Sequence, residues 1–195
     1  GKTFANYWMH NGFVNIDNVK MSKSLGNFIT VHDALKTIDG QVLRFFFATQ
    51  HYRKPINFTE KAVRDAETNL KYLKNTYEQP FTGEVDPADL QGFVDKFIAA
   101  MDEDINAANG ITVVFELAKW INSGHYNQDV KDALTKMLEV FGVVFVEEVL
   151  DADIEALIAE RQEARAKKDF ARADAIRDEL AAQGIKLLDT KEGVR

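Results

Sequence analysis

Apolar residues recur every three or four positions in four consecutive segments, and no other feature restricts the fold of this chain as strongly. This spacing places apolar side chains on one face of a helix, and such a face is stable only when another apolar surface covers it. The segments therefore predict an antiparallel four-helix bundle over residues 59–149. The four faces consist of Val63, Ala66, Leu70, Leu73 and Tyr77; Leu90, Phe93, Phe97, Met101 and Ile105; Ile111, Val114, Leu117, Ala118 and Ile121; and Val130, Leu134, Met137, Leu138 and Phe141.

The residues between these segments favour helix ends. Thr59 and Asp86 are of types that cap a helix N-terminus, and Pro87 follows Asp86 at the first helical position. Gly124 predicts the end of the third bundle helix.

The region before the bundle, residues 1–58, begins with a predicted strand over residues 13–16 and a turn at Asp17 and Asn18. Thr30, with Asp33 three residues later, predicts a capped helix that continues to Ile38. Asp39 and Gly40 then break this helix.

A second helix in this region carries Val42, Leu43 and residues 45–47, which are all phenylalanine. Because it is apolar nearly all round, we expect it to be buried. The helix cannot continue through Pro55.

The last region, residues 150–195, predicts a helical hairpin that is broken near Lys168 and Asp169. Gly184 is expected to end the second helix, and residues 185–190 read as a short strand. The apolar residues of the hairpin are Ile154, Leu157 and Ile158 before the break and Phe170, Ala173, Ile176 and Leu180 after it. The expected fold class is therefore mainly α, with a short β element near each end.

Composition excludes several kinds of site. The chain has no cysteine, so disulfides, thiolate catalysis and cysteine-based zinc sites are excluded within it. Its four histidines are scattered, which argues against a metal site built within the chain. No apolar run approaches the roughly 20 residues that cross a bilayer. We therefore expect a cytoplasmic protein that does not contact a membrane. We also expect it to be a monomer.

The formal charge of −7 is distributed unevenly along the chain. Residues 1–60 carry +3, residues 61–154 carry −10, and residues 155–195 balance at zero. A polyanion would therefore meet the first or the last region more readily than the middle.

Residues 19–28, with the sequence VKMSKSLGNF, place two lysines and two serines on a predicted loop, the signature loop. Lysine is a compact charge on a flexible stem, which suits phosphate oxygens that move during a reaction. Gly26 permits a sharp turn, and Asn27 tolerates a left-handed conformation. Charge and spacing alone are more typical of a solvated surface turn than of a binding loop.

The pentapeptide of residues 20–24, KMSKS, matches the signature loop of class I aminoacyl-tRNA synthetases. Residues 6–36, 43–63, 101–122 and 161–195 each resemble cysteinyl-tRNA synthetases. One departure lies in the bundle, where many members have Asn-Thr-Pro and this chain has Asn-Ala-Ala at positions 106–108.

The resemblance implies ATP-dependent activation of cysteine, followed by transfer of cysteine to its tRNA. It implies that Lys23 contacts ATP and that Lys20 supports the same loop, so both are candidate catalytic residues. Met21, Ser22 and Ser24 complete the ATP-binding motif. Attack of a carboxylate on the α-phosphate builds negative charge, which an ammonium group would relieve.

The resemblance also implies a role for each region. Residues 1–58 would form the end of the catalytic domain with helices that contact the tRNA stem. Residues 59–149 would bind the anticodon, and residues 150–195 would form a tRNA-binding tail.

Two features of the family are missing from this sequence. Its other ATP-binding signature, a His-Ile-Gly-His type tetrapeptide, is absent, and so are its zinc ligands, which include cysteines and a His-His-Glu cluster. We therefore expect a C-terminal portion of a longer synthetase, with zinc bound only in the longer protein. The chain alone is expected to be inactive.

Two other functions remain open. A cysteine ligase that acts on an amino sugar would share the signature loop, but such enzymes lack an extended tail like residues 155–195. A stand-alone helical module that binds tRNA or protein would need no catalytic group.

Several further residues are candidates for contacts with substrate or tRNA. Trp8 and His10 could line the amino-acid side of the site, or simply pack. His51, Arg53 and Lys54 could form a basic rim with the two signature lysines. The basic residues of the tail are more typical of a solvated face with many ion pairs than of a binding surface, and only the family resemblance favours tRNA contact. They are Arg161, Arg165, Lys167, Lys168, Arg172 and Arg177.

Overall fold

The computed structural model describes residues 2–146, 152–182, 189–190 and 193–194. The chain divides into two compact units, residues 1–145 and residues 146–195. The described part of the chain contains eight α-helices and five short strands, so the mainly α prediction is confirmed. None of its helices has the length and apolar character needed to cross a membrane.

The first unit begins with a three-stranded sheet in the order β2-β1-β3. Strand β1 (Val14–Ile16) pairs antiparallel with β2 (Val19–Lys20) and parallel with β3 (Ile56–Phe58). The predicted turn is confirmed, because Asp17 and Asn18 have φ of 47° and 68°, as a tight hairpin requires. Strand β3 was not predicted.

Two helices lie between β2 and β3. The Thr30 hydroxyl accepts a hydrogen bond from the Asp33 N–H and begins α1 (Val31–Ala34). The predicted extent of α1 to Ile38 is wrong. Helix α1 ends at Ala34, and a turn over residues 35–37 separates it from α2 (Gly40–Ala48). The Asp39 carboxylate caps α2 by accepting from two backbone N–H groups.

Helix α2 is buried as predicted. Val42, Leu43, Phe45 and Phe46 all lie in the core, and Phe45 has no exposed surface. This helix joins the small sheet to the bundle, since it packs against the first bundle helix.

The predicted four-helix bundle is confirmed. It consists of α3 (Glu60–Tyr77), α4 (Pro87–Asp102), α5 (Ala107–Asn122) and α6 (Gln128–Val140). Helix α5 contacts each of the other three, and its residues Val114, Leu117, Ala118 and Ile121 have no exposed surface. The core of the first unit is therefore centred on α5.

The predicted helix ends of the bundle agree with the structure. The predicted apolar faces contain one error. Thr59 and Asp86 cap α3 and α4, and Gly124 has a φ of 101° just after α5. Ile105, however, is 51% exposed, so its assignment to the apolar face of α4 is wrong. Helix α4 ends at Asp102, and Ile105 lies beyond it in a left-handed conformation with φ of 51°.

The second unit contains α7 (Ala152–Ala166) and α8 (Phe170–Ala182), which form the predicted hairpin. Lys168 lies at its turn with φ of 62°. Ala173, Ile176 and Leu180 are buried as expected, but Phe170 is 62% exposed. Side chains tilt toward the N-terminus of their helix, so the side chain of this first residue of α8 projects past its start.

Two short strands follow the hairpin. Strand β4 (Asp189–Thr190) pairs antiparallel with β5 (Gly193–Val194). The predicted strand over residues 185–190 is therefore confirmed at its last two positions. Gly184 and residues 185–188 lie outside the described residues, as does the predicted domain boundary near residue 150.

Candidate phosphate-binding loop

The signature loop is held at its start by the small sheet, because its first two residues, Val19 and Lys20, form strand β2. The loop prediction is therefore wrong at these two positions. The Met21 N–H donates to the Val14 carbonyl at 3.1 Å, directly after β2. A short 3-10 turn follows over Lys23–Leu25 and ends at Gly26, whose φ is 70°. The predicted sharp turn at Gly26 is thus confirmed.

Asn27 closes the loop through its side chain. Its amide oxygen accepts from the Ser22 N–H at 2.9 Å, and its amide nitrogen donates to the Lys20 carbonyl at 3.3 Å. Asn27 is not among the described residues with positive φ, so the expected left-handed role falls to Gly26 alone. The hydroxyl groups of Ser22 and Ser24 are hydrogen-bonded to each other at 2.8 Å.

Both lysines of the loop are exposed, and each ammonium group lies over an aromatic ring. The Lys20 Nζ is 4.0 Å from the centroid of Phe13, and the Lys23 Nζ is 5.4 Å from the centroid of Phe28. Neither lysine forms an ion pair with any residue that the structure describes. Their charges are therefore available to an anion from solvent.

The segment expected to form a basic rim contacts Asp104, which lies just after α4. Arg53 donates to the Asp104 carboxylate from Nε at 2.6 Å and from Nη2 at 3.0 Å. Tyr52 donates to the same carboxylate at 2.6 Å, and His51 Nε2 lies 3.9 Å from it. We call residues 51–53 with Asp104 the Asp104 cluster.

The hydrogen bonds of the Asp104 cluster shift the pKa values of both Asp104 and Arg53. Hydrogen bonds from Arg53 and then from Tyr52 lower the pKa of the Asp104 carboxyl group. The hydrogen bond to Asp104 raises the pKa of the Arg53 guanidinium. Arg53 is therefore neutralised by a neighbour, which weakens its predicted place in a basic rim.

Sequence reasoning did not find Asp104. It lies 51 residues from Arg53, in a run of acidic residues in which nothing distinguishes it. Its φ of 58°, next to the φ of 51° at Ile105, becomes visible only in the structure.

The other residues predicted near the site lie on the surface. Trp8 is 67% exposed and stacks on Phe4 at 6.0 Å between ring centroids. His10 and Lys54 are exposed. The backbone of Lys54 lies against Gly12, whose N–H donates to the Tyr52 carbonyl at 2.7 Å.

The basic residues of the tail are mostly paired with acids. Lys167 pairs with Glu163 at 2.5 Å, Arg172 with Glu160 at 2.8 Å, and Arg177 with Asp174 at 2.9 Å. Arg161 and Arg165 also have interaction partners, and Arg161 is buried. This arrangement favours the interpretation of the tail as a face with many ion pairs.

No group of three or more metal-ligating side chains occurs in the described ranges of the chain. Since the sequence also has no cysteine, its residues do not fit the zinc centre that the resemblance implied.

Three family models match the chain in succession. Residues 1–68 match the class I tRNA synthetase (C) catalytic domain, residues 96–147 match the DALR domain, and residues 147–194 match the cysteinyl-tRNA ligase anticodon binding domain.

Curated relatives match over the whole chain. Over 195 residues the chain is 84% identical to the cysteine–tRNA ligase of Streptococcus pneumoniae serotype 4. The corresponding identities are 80% for the ligase of Streptococcus mutans serotype c and 75% for that of Streptococcus thermophilus. Each alignment covers 100% of this chain but 44% of the relative, so the chain spans less than half the length of these proteins.

Proposed function

The chain belongs to the cysteinyl-tRNA synthetase family, and on that premise we propose that it supplies the ATP-binding loop and the tRNA-binding regions of a cysteine–tRNA ligase. The observation that carries the proposal is the KMSKS pentapeptide on an exposed loop, with two lysines that have no ion-pair partner in the described part of the chain. The complete ligase would join cysteine to its tRNA with consumption of ATP, by adenylate formation followed by acyl transfer.

ATP is thus proposed as the nucleotide, and cysteine and its tRNA as the other substrates.

The two lysines have separate proposed roles in adenylate formation. In this step the cysteine carboxylate attacks the α-phosphate of ATP and pyrophosphate leaves, so negative charge grows on the phosphate oxygens. We assign Lys23 to contact these oxygens and Lys20 to supply a second charge beside it. Met21, Ser22 and Ser24 complete the motif, and the hydrogen bond between the two serines supports a defined loop conformation.

The three regions are proposed to divide the work. Residues 1–58 would contribute the end of the catalytic domain, residues 59–149 the anticodon-binding bundle, and residues 150–195 the tRNA-binding tail. The family match of residues 147–194 to an anticodon binding domain supports the last assignment and speaks against an amino-sugar ligase. We also propose that the complete enzyme is cytoplasmic and acts as a monomer. Zinc would be bound only in the longer ligase, and no step described here depends on it.

The test uses a longer ligase, made by placing the N-terminal part of the Streptococcus pneumoniae relative before this chain. In that protein we expect Lys23→Ala to lower cysteine-dependent ATP–pyrophosphate exchange by about 10²- to 10³-fold, the usual effect of removing one group that stabilises transition-state charge. Radioactive exchange at saturating cysteine measures this directly.

Lys36→Ala is the matched control, because it removes a nearby lysine that is paired with Asp33 at 2.7 Å. Exchange should stay close to that of the unaltered ligase. The chain alone gives the background, for which we expect no exchange. Undiminished exchange in the Lys23→Ala ligase would refute the proposed role of the loop, whereas absence of exchange in the unaltered longer ligase would leave the stand-alone binding module as the better explanation.

A further inference from the structure

The lysines of the signature loop and the rings beneath them form two matched pairs. Phe13 lies just before β1 and is 63% exposed, and Phe28 lies just after the loop and is 46% exposed. Rings with so much exposed surface contribute little to a core. Each nevertheless lies below one of the two ammonium groups, at 4.0 Å for Lys20 and 5.4 Å for Lys23.

The backbone of the sheet explains the first pair. Asn15 of β1 lies opposite Lys20 of β2 in the antiparallel register. Phe13 is two residues before Asn15 and therefore on the same face, diagonal to Lys20, where an aromatic ring and a long side chain can meet. The Phe13 carbonyl also accepts from the Ile56 N–H at 2.8 Å, which anchors Phe13 to β3.

The closure of the loop explains the second pair. Gly26 turns the chain back, and the Asn27 side chain binds the Ser22 N–H and the Lys20 carbonyl. Phe28 follows directly and is thereby brought below Lys23. The backbone of both ring residues is thus anchored at the base of the loop. The lysines that the rings contact have long side chains that would otherwise move freely.

We propose that Phe13 and Phe28 are positioning residues that hold the ammonium groups of Lys20 and Lys23 in place for the triphosphate of ATP. The inference rests on the proposed function of the loop and adds two residues to it. The face of an aromatic ring attracts a cation, yet it covers only one side of an ammonium group, so the remaining N–H groups can still donate to phosphate oxygens. A lysine that is already held loses less conformational freedom when the phosphate arrives.

The experiment compares leucine and tyrosine at each ring position of this chain. Phe13→Leu and Phe28→Leu keep apolar bulk but remove the ring, whereas Phe13→Tyr and Phe28→Tyr keep an aromatic face. Nuclear magnetic resonance of the lysine ε-CH₂ groups reports the contact, because protons above a ring are shifted upfield. The shift should be larger for Lys20 than for Lys23, lost in the leucine variants and retained in the tyrosine variants.

Titration with ATP, and separately with inorganic tripolyphosphate, then measures the effect on binding. We expect each leucine variant to bind either probe about two- to fivefold more weakly, from the usual strength of an exposed cation–ring contact. The tyrosine variants should bind like the unaltered chain. Unchanged backbone amide shifts in the bundle verify that each variant is folded; should a leucine variant be unfolded, the lysine shifts of the unaltered chain and of the tyrosine variants still decide whether the contact exists.

The outcomes separate the two proposals. Equal lysine shifts or equal affinities in the leucine and tyrosine variants would overturn the role of the rings, while phosphate binding by the loop would stand. If the lysine shifts follow the ring substitutions but neither lysine responds to ATP or tripolyphosphate, the phosphate role of the loop fails, and the positioning role fails with it.

Discussion

The N-terminal region, residues 2–35, and the four-helix bundle differ sharply in how they treat apolar side chains. In the N-terminal region Ala34 alone is buried, and eleven large apolar side chains are exposed, among them Phe4 at 93% and Trp8 at 67%. In the bundle, Leu73, Leu117 and many other apolar residues have no exposed surface.

The difference shows that the two regions use apolar residues for different purposes. The bundle covers its own apolar faces, which accounts for its stability as a unit. A concentration of exposed apolar side chains, as in the N-terminal region, is typical of a surface that contacts another polypeptide or a ligand. The bundle is thus a self-contained support, and the signature loop lies in the region with the most open surface.

The largest effect is expected in the bundle core. Leu117→Ala should lower the free energy of unfolding by about 2–5 kcal/mol, because it removes buried methyl groups and leaves a cavity. Urea denaturation followed by circular dichroism measures this change. Leu25→Ala, at a position that is 64% exposed, is the control and should change the stability by less than about 0.5 kcal/mol. Similar losses in both variants would remove the contrast between the regions.

A smaller effect is expected where the N-terminal region is closely packed. A Cβ atom at Gly12 would collide with the backbone carbonyl group of Lys54 and lie 2.7 Å from the Pro55 nitrogen. Gly12→Ala should therefore push β1 away from β3 and lower the free energy of unfolding by about 1–3 kcal/mol. Hydrogen exchange of the Ile56 amide should become faster.

Gly92→Ala is the matched control for Gly12→Ala. Gly92 lies inside α4, and a Cβ there would meet no atom within 4 Å. Alanine should stabilise the helix by about 0.5–1 kcal/mol. Destabilisation by Gly92→Ala, or tolerance of Gly12→Ala, would contradict this account of where the packing is tight.

The smallest effect is expected at the Asp104 cluster, which joins the segment between α2 and β3 to the end of α4. The pKa of Asp104 is lowered in the folded protein from an ordinary value of 3.8. Its contribution to stability is therefore present above pH 3.8 and is lost as the pH falls through the lower folded pKa. Urea denaturation should show a stability difference between Asp104→Asn and the unaltered chain at pH 7 that shrinks toward pH 3. A difference that is constant with pH would show that the charge of Asp104 is unimportant.

Local sequence signals predicted most helix ends. Thr30, Thr59 and Asp86 each cap the helix that follows them, and the hairpin turn near Lys168 lies where the break in the apolar pattern placed it. Such signals succeed because a cap or a turn depends on residues only two to four positions apart. The position of Lys23 on an exposed loop was also predictable, whereas Lys20 lies in the short strand β2. The roles of both lysines remain proposals.

The features that the sequence did not predict depend on residues far apart in the chain. The pairing of β1 with β3, and the contact of Asp104 with Arg53, join segments more than 35 residues apart. The exposure of Ile105 and Phe170 depends on where a helix stops relative to its neighbours. Periodicity therefore predicts that this chain forms a helical bundle, and the residue types of positions 19–28 predict a lysine-bearing loop before it. The anchoring of that loop follows from the path of the chain in space, because hydrogen bonds and ring contacts require proximity that the order of residues does not encode locally.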